Sequence, residues 1–213
     1  LTPHGGLIYQ PVEAKSPAKL EADRNRATEL LVSHVSQCYN HVSLCHTPAI
    51  VDLRPFSWNG FSPQVRYTYR IGISNLEEVW EKLERRTRTV IRKAEKLGYS
   101  LQATDDTALF RRQYEAIYAQ QPGGAPIAAA TAERFVAAVL AAGIGRAYKI
   151  ASPTDQVAAI VVFVDGFDTT YAWAAGADPA LNNTGATSLL YWQYFTTSTS
   201  KHFDFVGANI PAL

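Results

Sequence analysis

Methionine is absent from all 213 residues, position 1 included, which implies a chain that is a fragment or has been trimmed. Only two cysteines occur, Cys38 and Cys45. They are too few for a disulfide framework and have no metal-ligand spacing to the histidines. No metal site is expected, and a reduced, cytoplasmic setting is. No apolar run approaches the ~18 residues of a membrane helix, so no integral membrane segment is expected. The start at Leu1 lacks the basic region and apolar core of a signal peptide. Net charge is close to nil, at +1, which excludes a protein that coats nucleic acid by bulk charge but leaves a local basic surface open. No Walker loop or Gly-x-Ser-x-Gly elbow occurs, and Gly143-Ile-Gly145 is not a dinucleotide fingerprint. There is no internal repeat and no low-complexity tract.

What is present is enough apolar side chain, 47% of residues, for a real core. The length suits one large domain or two small ones. The organising stretch is 157–209. Residues 157–164 (Val-Ala-Ala-Ile-Val-Val-Phe-Val) are apolar throughout, the pattern of a strand buried on both faces. Asp165-Gly166 turns the chain, and 169–175 is rich in strand formers. A polar loop follows at 176–183. Thr184-Gly185 opens a helix through about 197, and 202–206 returns as a strand before a turn at 207–211. With a strand at 145–151, residues 145–175 read as a meander of three antiparallel strands.

Upstream, 1–9 reads as a short strand. Helical spacing at 13–39 places Ala27, Leu30, Leu31, His34, Val35 and Cys38 on one buried stripe. Residues 40–46 alternate as a strand, which sends His41 and His46 to opposite faces and removes them as a metal pair unless a bend intervenes. The loop 52–60 holds Arg54 and Trp58, which either line a binding cleft or tuck the loop down. His4 sits beside Gly5-Gly6, where loop and ligand-contact readings both apply. Alternation at 65–71 predicts a half-exposed strand. Ser74 with Glu77 makes a capping box for a helix over 75–97. Strand 99–103 and helices at 105–119 and 128–142 complete the pattern.

The helix over 75–97 carries Leu76, Trp80, Leu83, Thr87, Val90, Ile91 and Ala94 on one face. Arg85, Arg88, Arg92 and Lys96 gather on another at about 100° per residue. Such a stripe is either a solvated face partly neutralised by Glu81 and Glu84, or a surface for phosphates. At the helix opened by Thr184-Gly185, unpaired N–H groups and a partial positive charge face outward. Asn183, Thr184 and Gly185 are small or capping residues there. They form either an ordinary N-cap or a place for a diphosphate to approach.

Several phrases together resemble the GNAT superfamily of acyltransferases, and in particular its Fem-type branch, the peptidyltransferases of peptidoglycan cross-bridges and their relatives. The phrases are Arg88-Thr-Val-Ile-Arg-Lys-Ala-Glu-Lys96, Ala158-Ala-Ile-Val-Val162, Tyr171-Ala-Trp-Ala-Ala-Gly176, Leu189-Leu-Tyr-Trp192 and Phe203-Asp-Phe-Val-Gly-Ala208. They cover roughly the last two-thirds of the chain. The resemblance implies an α+β GNAT-like fold, a twisted, mostly antiparallel central sheet flanked by helices. It implies that 70–213 is the acyltransferase domain, truncated at its C-terminus, and that 1–69 is the remnant of a first such unit.

Carried over residue by residue, the resemblance assigns Arg88 and Arg92 to a phosphate-bearing ligand. Tyr171 and Trp173 take the cleft wall, with Tyr171 also a catalytic candidate, and Asp204 takes the acceptor side. Asp204 is the candidate for the proton role or for orienting the acceptor amine, its structural rival being an aspartate that caps the Gly207 turn. Asn209 is a turn residue or a substrate contact. The implied donor is acyl-CoA or aminoacyl-tRNA, with no tightly bound cofactor. The implied acceptor is an amine, such as that of a peptidoglycan precursor. Two other readings stay open: a GNAT-like binding module without catalysis, and an RNA-binding domain using the Arg85–Lys96 face.

Overall fold

The apolar run at 157–164 becomes the strand on which a six-stranded sheet is built. The computed structural model describes residues 5–10, 12 and 16–207; His4, Asn209 and the expected helix start at Glu13 lie outside them. The chain divides into two compact units, 1–67 and 68–213.

The first unit contains α1 (Pro17–Cys38) and the single-turn α2 (Arg54–Trp58). The expected loop at 52–60 thus contains a turn of helix. The expected strand at 40–46 has no regular structure. The buried stripe of α1 is also not the expected one. Thr28 and Val32 are buried while Leu30 and Leu31 are exposed. Burial of a threonine is tolerated because its hydroxyl donates to the Arg24 carbonyl at 2.8 Å.

The second unit runs β1 (Arg70–Gly72), α3 (Leu76–Lys82), α4 (Arg85–Lys96), β2 (Ser100–Thr104), α5 (Thr107–Tyr118), α6 (Ala129–Ala141), β3 (Gly145–Ala151), β4 (Val157–Asp165), β5 (Thr169–Ala177), a 3₁₀ turn (Pro179–Thr184), α7 (Ala186–Thr197) and β6 (His202–Asp204). The sheet order is β1-β6-β5-β4-β3-β2. Every pairing is antiparallel except β5 with β6, which is parallel. The α+β class and the mostly antiparallel sheet match the sequence reading.

Strand β4 is apolar on both sides because both sides are covered. Ala159, Val161 and Phe163 enter one core cluster with Ile91 and Ala94 of α4 and Leu189, Leu190, Tyr194 and Phe195 of α7. Ile160 and Val162 enter the other, with Phe110 and Tyr114 of α5 and Ala132 and Val136 of α6. The first cluster is aromatic at its centre. Phe163 stacks on Tyr194 at 3.7 Å between ring centroids, and Phe203 of β6 meets Phe163, Tyr194 and Phe195 edge-on.

The long helix expected over 75–97 is two helices. Leu83 and Glu84 adopt extended backbone, with ψ of 139 and 145. Arg88 explains how the break is tolerated, for its guanidinium donates to the carbonyls of Trp80 and Glu81. Those carbonyls lie in the last turn of α3, where a cation is favourable, and that of Trp80 also accepts the Leu83 N–H at 3.3 Å. The cap also moves by one residue. The Asn75 side chain, not that of Ser74, accepts the Glu78 N–H at 3.3 Å. Asn75→Ala is therefore expected to lower stability by about 1 kcal/mol, whereas Ser74→Ala stays within about 0.5 kcal/mol; paired urea titrations read the difference. The predicted strand at 65–71 shortens to Arg70–Gly72, with Val65, Tyr67 and Tyr69 exposed.

Candidate functional site

Two irregularities interrupt the pairing of β5. The first is a bulge. The β4–β5 register passes from Val162↔Ala174 to Phe163↔Ala172, so Trp173 is the inserted residue. The clusters record the consequence: Ala172 packs on the α4/α7 side, while Trp173 and Ala174, consecutive in sequence, both pack on the α5/α6 side. A bulge of this kind disrupts the ladder and re-aims backbone groups. The second is a parting of strands. The β5–β6 ladder ends at Tyr171↔Asp204, while β5 itself runs on to Ala177. Past Tyr171 the sheet is no longer continued by β6.

The face beside the parting is polar. Arg70 pairs with Asp204, and His202 and Asp204 pair with Thr169 and Tyr171, so these five share one side of the sheet. Arg70 donates to the Thr169 hydroxyl at 2.9 Å. His202 Nδ1 lies 3.6 Å from Asp168 Oδ2, and Arg70 lies 3.7 Å from the Asp168 carboxylate. The Thr169 hydroxyl donates to Asp168 at 2.7 Å; that bond, with the nearby cations, holds the Asp168 carboxyl below its ordinary range. A histidine, a carboxylate and a tyrosine on one sheet face are groups that carry protons. Sequence reasoning did not single out Asp168 or His202, which lie 34 positions apart and meet only through strand pairing. The available signal was the return of 202–206 beside 169–175.

The other side of the site is the start of α7. The Thr184 hydroxyl accepts the Ala186 N–H at 3.2 Å and donates to the Leu181 carbonyl at 2.6 Å. The next two N–H groups, of Thr187 and Ser188, have no acceptor within the helix. Gly185 takes φ +81, and a Cβ there would sit 2.3 Å from the Val90 carbonyl oxygen. Its small size serves the close passage of α4. Lys93 of α4, which the sequence reading passed over, donates to the Asn183 carbonyl at 2.8 Å. It brings a cation to the turn that leads into α7.

The candidate residues distribute as follows. Tyr171 and Asp204 are register partners. Trp173 is the bulge residue. Asn183, Thr184 and Gly185 lie together against α4. Arg92 sits over the Trp80 ring at 5.4 Å, facing an open groove with Leu76, Glu77, Glu95 and Trp192. Arg88 is committed to the α3 carbonyls. Asp204 is buried at 3% exposure, and its Oδ1 accepts the Thr68 hydroxyl and the Val206 N–H at 2.6 and 2.7 Å. Arg54 and Trp58 belong to the first unit. There the Arg54 guanidinium bonds Asp52 and Glu21 and holds the Asp52 carboxyl well below its usual range, while Trp58 is exposed. Among the described residues no group of three His, Cys, Asp or Glu side chains is placed to hold a metal ion, and no helix is long and apolar enough to cross a membrane.

Residues 81–209, more than half the chain, match the family model described as acetyltransferase (GNAT) domain. No curated protein matches the chain. Among solved structures, FemX superposes with a TM-score of 0.64 at 10% identity, over 92% of this chain and 69% of its own. A conserved protein of unknown function from Bacteroides thetaiotaomicron gives 0.50 at 14% identity, over 67% of this chain and 51% of its own. L-PGS from Bacillus licheniformis gives 0.47 at 8% identity, over 70% and 48%. The chain spans about half the length of the latter two.

Proposed function

From the premise that this chain belongs to the GNAT acetyltransferase family, we propose that it moves an acyl or aminoacyl group from a phosphate-bearing carrier, acyl-CoA or aminoacyl-tRNA, onto an amine. The carrier is a substrate, so no tightly bound cofactor is needed. The Fem-type likeness points to a cell-envelope acceptor, the amine of a peptidoglycan precursor. Residues 1–69 are then what remains of a first GNAT-like unit.

The observation that carries this reading is the parting of β5 from β6 beside the Trp173 bulge. A carrier laid in that opening presents its carbonyl to the edge of β5. A neutral amine attacks the carbonyl carbon; the new C–N bond forms as the C–S or C–O bond breaks. The amine gives up one proton and the leaving sulfur or oxygen takes one. Holding the two reactants in line supplies much of the acceleration. Backbone N–H groups re-aimed by the bulge stabilise the oxygen as it gains charge. Tyr171 and His202, on one face of the parting, are the groups we assign to proton movement. The carrier's phosphates lie toward the α7 start and α4, where Lys93 and Arg92 stand.

A second reading, a binding module without transfer, has one observation in its favour: part of the α7 start is already occupied, the Ala186 N–H by the Thr184 hydroxyl. One experiment separates the two. The protein is incubated with radiolabelled acetyl-CoA, or with tRNA charged with a labelled amino acid, and a lysine-containing muropeptide. Label on the muropeptide amine is the expected result. Saturable carrier binding with no labelled amine establishes the module, and no binding of either carrier defeats both readings.

A further inference from the structure

We propose that Asp204 is a positioning residue that holds the β5–β6 opening apart, and not the proton carrier its place in the chain suggests. The proposal rests on the reading of that opening as the carrier's site. Three observations carry it. The ladder between β5 and β6 stops at Asp204 itself. The next residue keeps its pairing on the β1 side, where the Phe205 N–H donates to the Tyr69 carbonyl at 3.0 Å, while its pairing with β5 is not continued. The residue after that, Val206, has φ +62, a left-handed conformation that a β-branched side chain strongly disfavours.

Something must hold Val206 there, and Asp204 is placed to do it. Its Oδ1 accepts the Val206 N–H at 2.7 Å, a short side chain bonding its own backbone two residues on. The same oxygen accepts the Thr68 hydroxyl at 2.6 Å, which ties the turn to the segment entering β1. With this anchor removed, nothing requires the left-handed step. An extended chain leaving Asp204 would continue beside residues 172–174 at strand spacing, about 4.8 Å, and would close the opening. The buried position of Asp204, 3% exposed, fits an anchor better than a group that exchanges protons with a substrate.

Both donors use one oxygen, and this makes the idea testable. Asp204→Asn keeps that oxygen and removes the charge. Asp204→Glu keeps the charge but adds a methylene, which spoils the bond to the residue two positions on. Asp204→Ala removes the acceptor, and adding Val206→Gly lets the left-handed step form without help. Coenzyme A binding is measured by calorimetry, and amide hydrogen exchange at 172–175 by mass spectrometry.

Asp204→Ala is expected to weaken coenzyme A at least tenfold and to slow exchange at 172–175, as the opening zips shut. Asp204→Asn, and the double variant Asp204→Ala with Val206→Gly, are expected to stay within about threefold of the parent in both. Should Asp204→Ala not fold, Asp204→Glu against Asp204→Asn makes the same comparison, with glutamate the impaired one. An asparagine variant as impaired as alanine overturns the proposal, as does unchanged exchange at 172–175 in alanine or glutamate. If no form binds coenzyme A while exchange still follows the expected order, the anchor stands and the carrier reading for coenzyme A falls.

Discussion

Gly185→Ala is expected to destabilise the protein by roughly 3 kcal/mol, summing about 1–2 kcal/mol for a left-handed backbone and about 1–3 kcal/mol for overpacking. The first part follows from φ +81, a region where an L side chain crowds its own backbone. The second follows from the neighbours. A methyl group at Gly185 would lie 2.3 Å from the Val90 carbonyl oxygen and 2.8 Å from the Val90 carbonyl carbon. These are backbone atoms of α4 and cannot swing aside like the end of a flexible side chain. To admit the methyl, α4 must move off α7, and Ile91 and Ala94, buried on that helix, would lose contacts. Gly143→Ala is the control. Gly143 also has positive φ, +65, but nothing lies within 4 Å of its added carbon, so only the backbone cost of about 1–2 kcal/mol is expected. Urea unfolding followed by tryptophan fluorescence measures both. Equal losses at the two positions would show that the α4–α7 approach contributes nothing beyond backbone preference.

That approach was hidden from sequence, and the reason is general. What can be read along a chain is local composition and turn chemistry, and these located β4 from its unbroken apolar run, β5 from its strand formers and α7 from the Thr184-Gly185 start. The run Val157–Val164 announced burial on both faces, and both faces are buried. The break between α3 and α4 left no such trace. There is no proline or glycine at Leu83-Glu84, and the side chain that makes the break tolerable, Arg88, looked like one more cation on a helical stripe. A turn-capping role for Asp204 was among the readings of the sequence, but its partners were not legible, for a different reason. Thr68 is far away in sequence, and the left-handed conformation of Val206 is one that no composition rule foretells. The bulge at Trp173 is likewise a property of register with β4, which only the paired strands define. Strand membership was thus legible from β2 to β6, though not at 40–46, while the two places where pairing fails, and where the carrier site is proposed, were not.

A triple charge swap on α4, Arg85→Glu with Arg86→Glu and Lys96→Glu, is expected to weaken tRNA binding about 100-fold near 0.1 M salt and to cut the salt slope by about 2–3. The helix carries six cations, Arg85, Arg86, Arg88, Arg92, Lys93 and Lys96, against one acid, Glu95. On a chain whose net charge is +1, this concentrates positive charge on one element about 18 Å long at 1.5 Å per residue. Arg88, Arg92 and Lys93 have structural partners in Trp80, Glu81 and Asn183, so they are left in place. Arg85, Arg86 and Lys96 are exposed, and their replacement should leave stability nearly unchanged. Glutamates in the first turn suit the helix dipole, which offsets the glutamate placed in the last turn. In the proposed site coenzyme A meets α4 through Arg92 and Lys93, which the swap leaves in place; of the replaced residues only Lys96, one turn beyond Lys93, stands near it, so its affinity is expected to fall no more than about threefold. Filter binding of tRNA across a salt series, beside coenzyme A calorimetry, therefore distinguishes the two donors. Loss confined to tRNA assigns the stripe to an RNA backbone. An unchanged salt slope for tRNA would return α4 to the status of a solvated face and leave acyl-CoA as the donor.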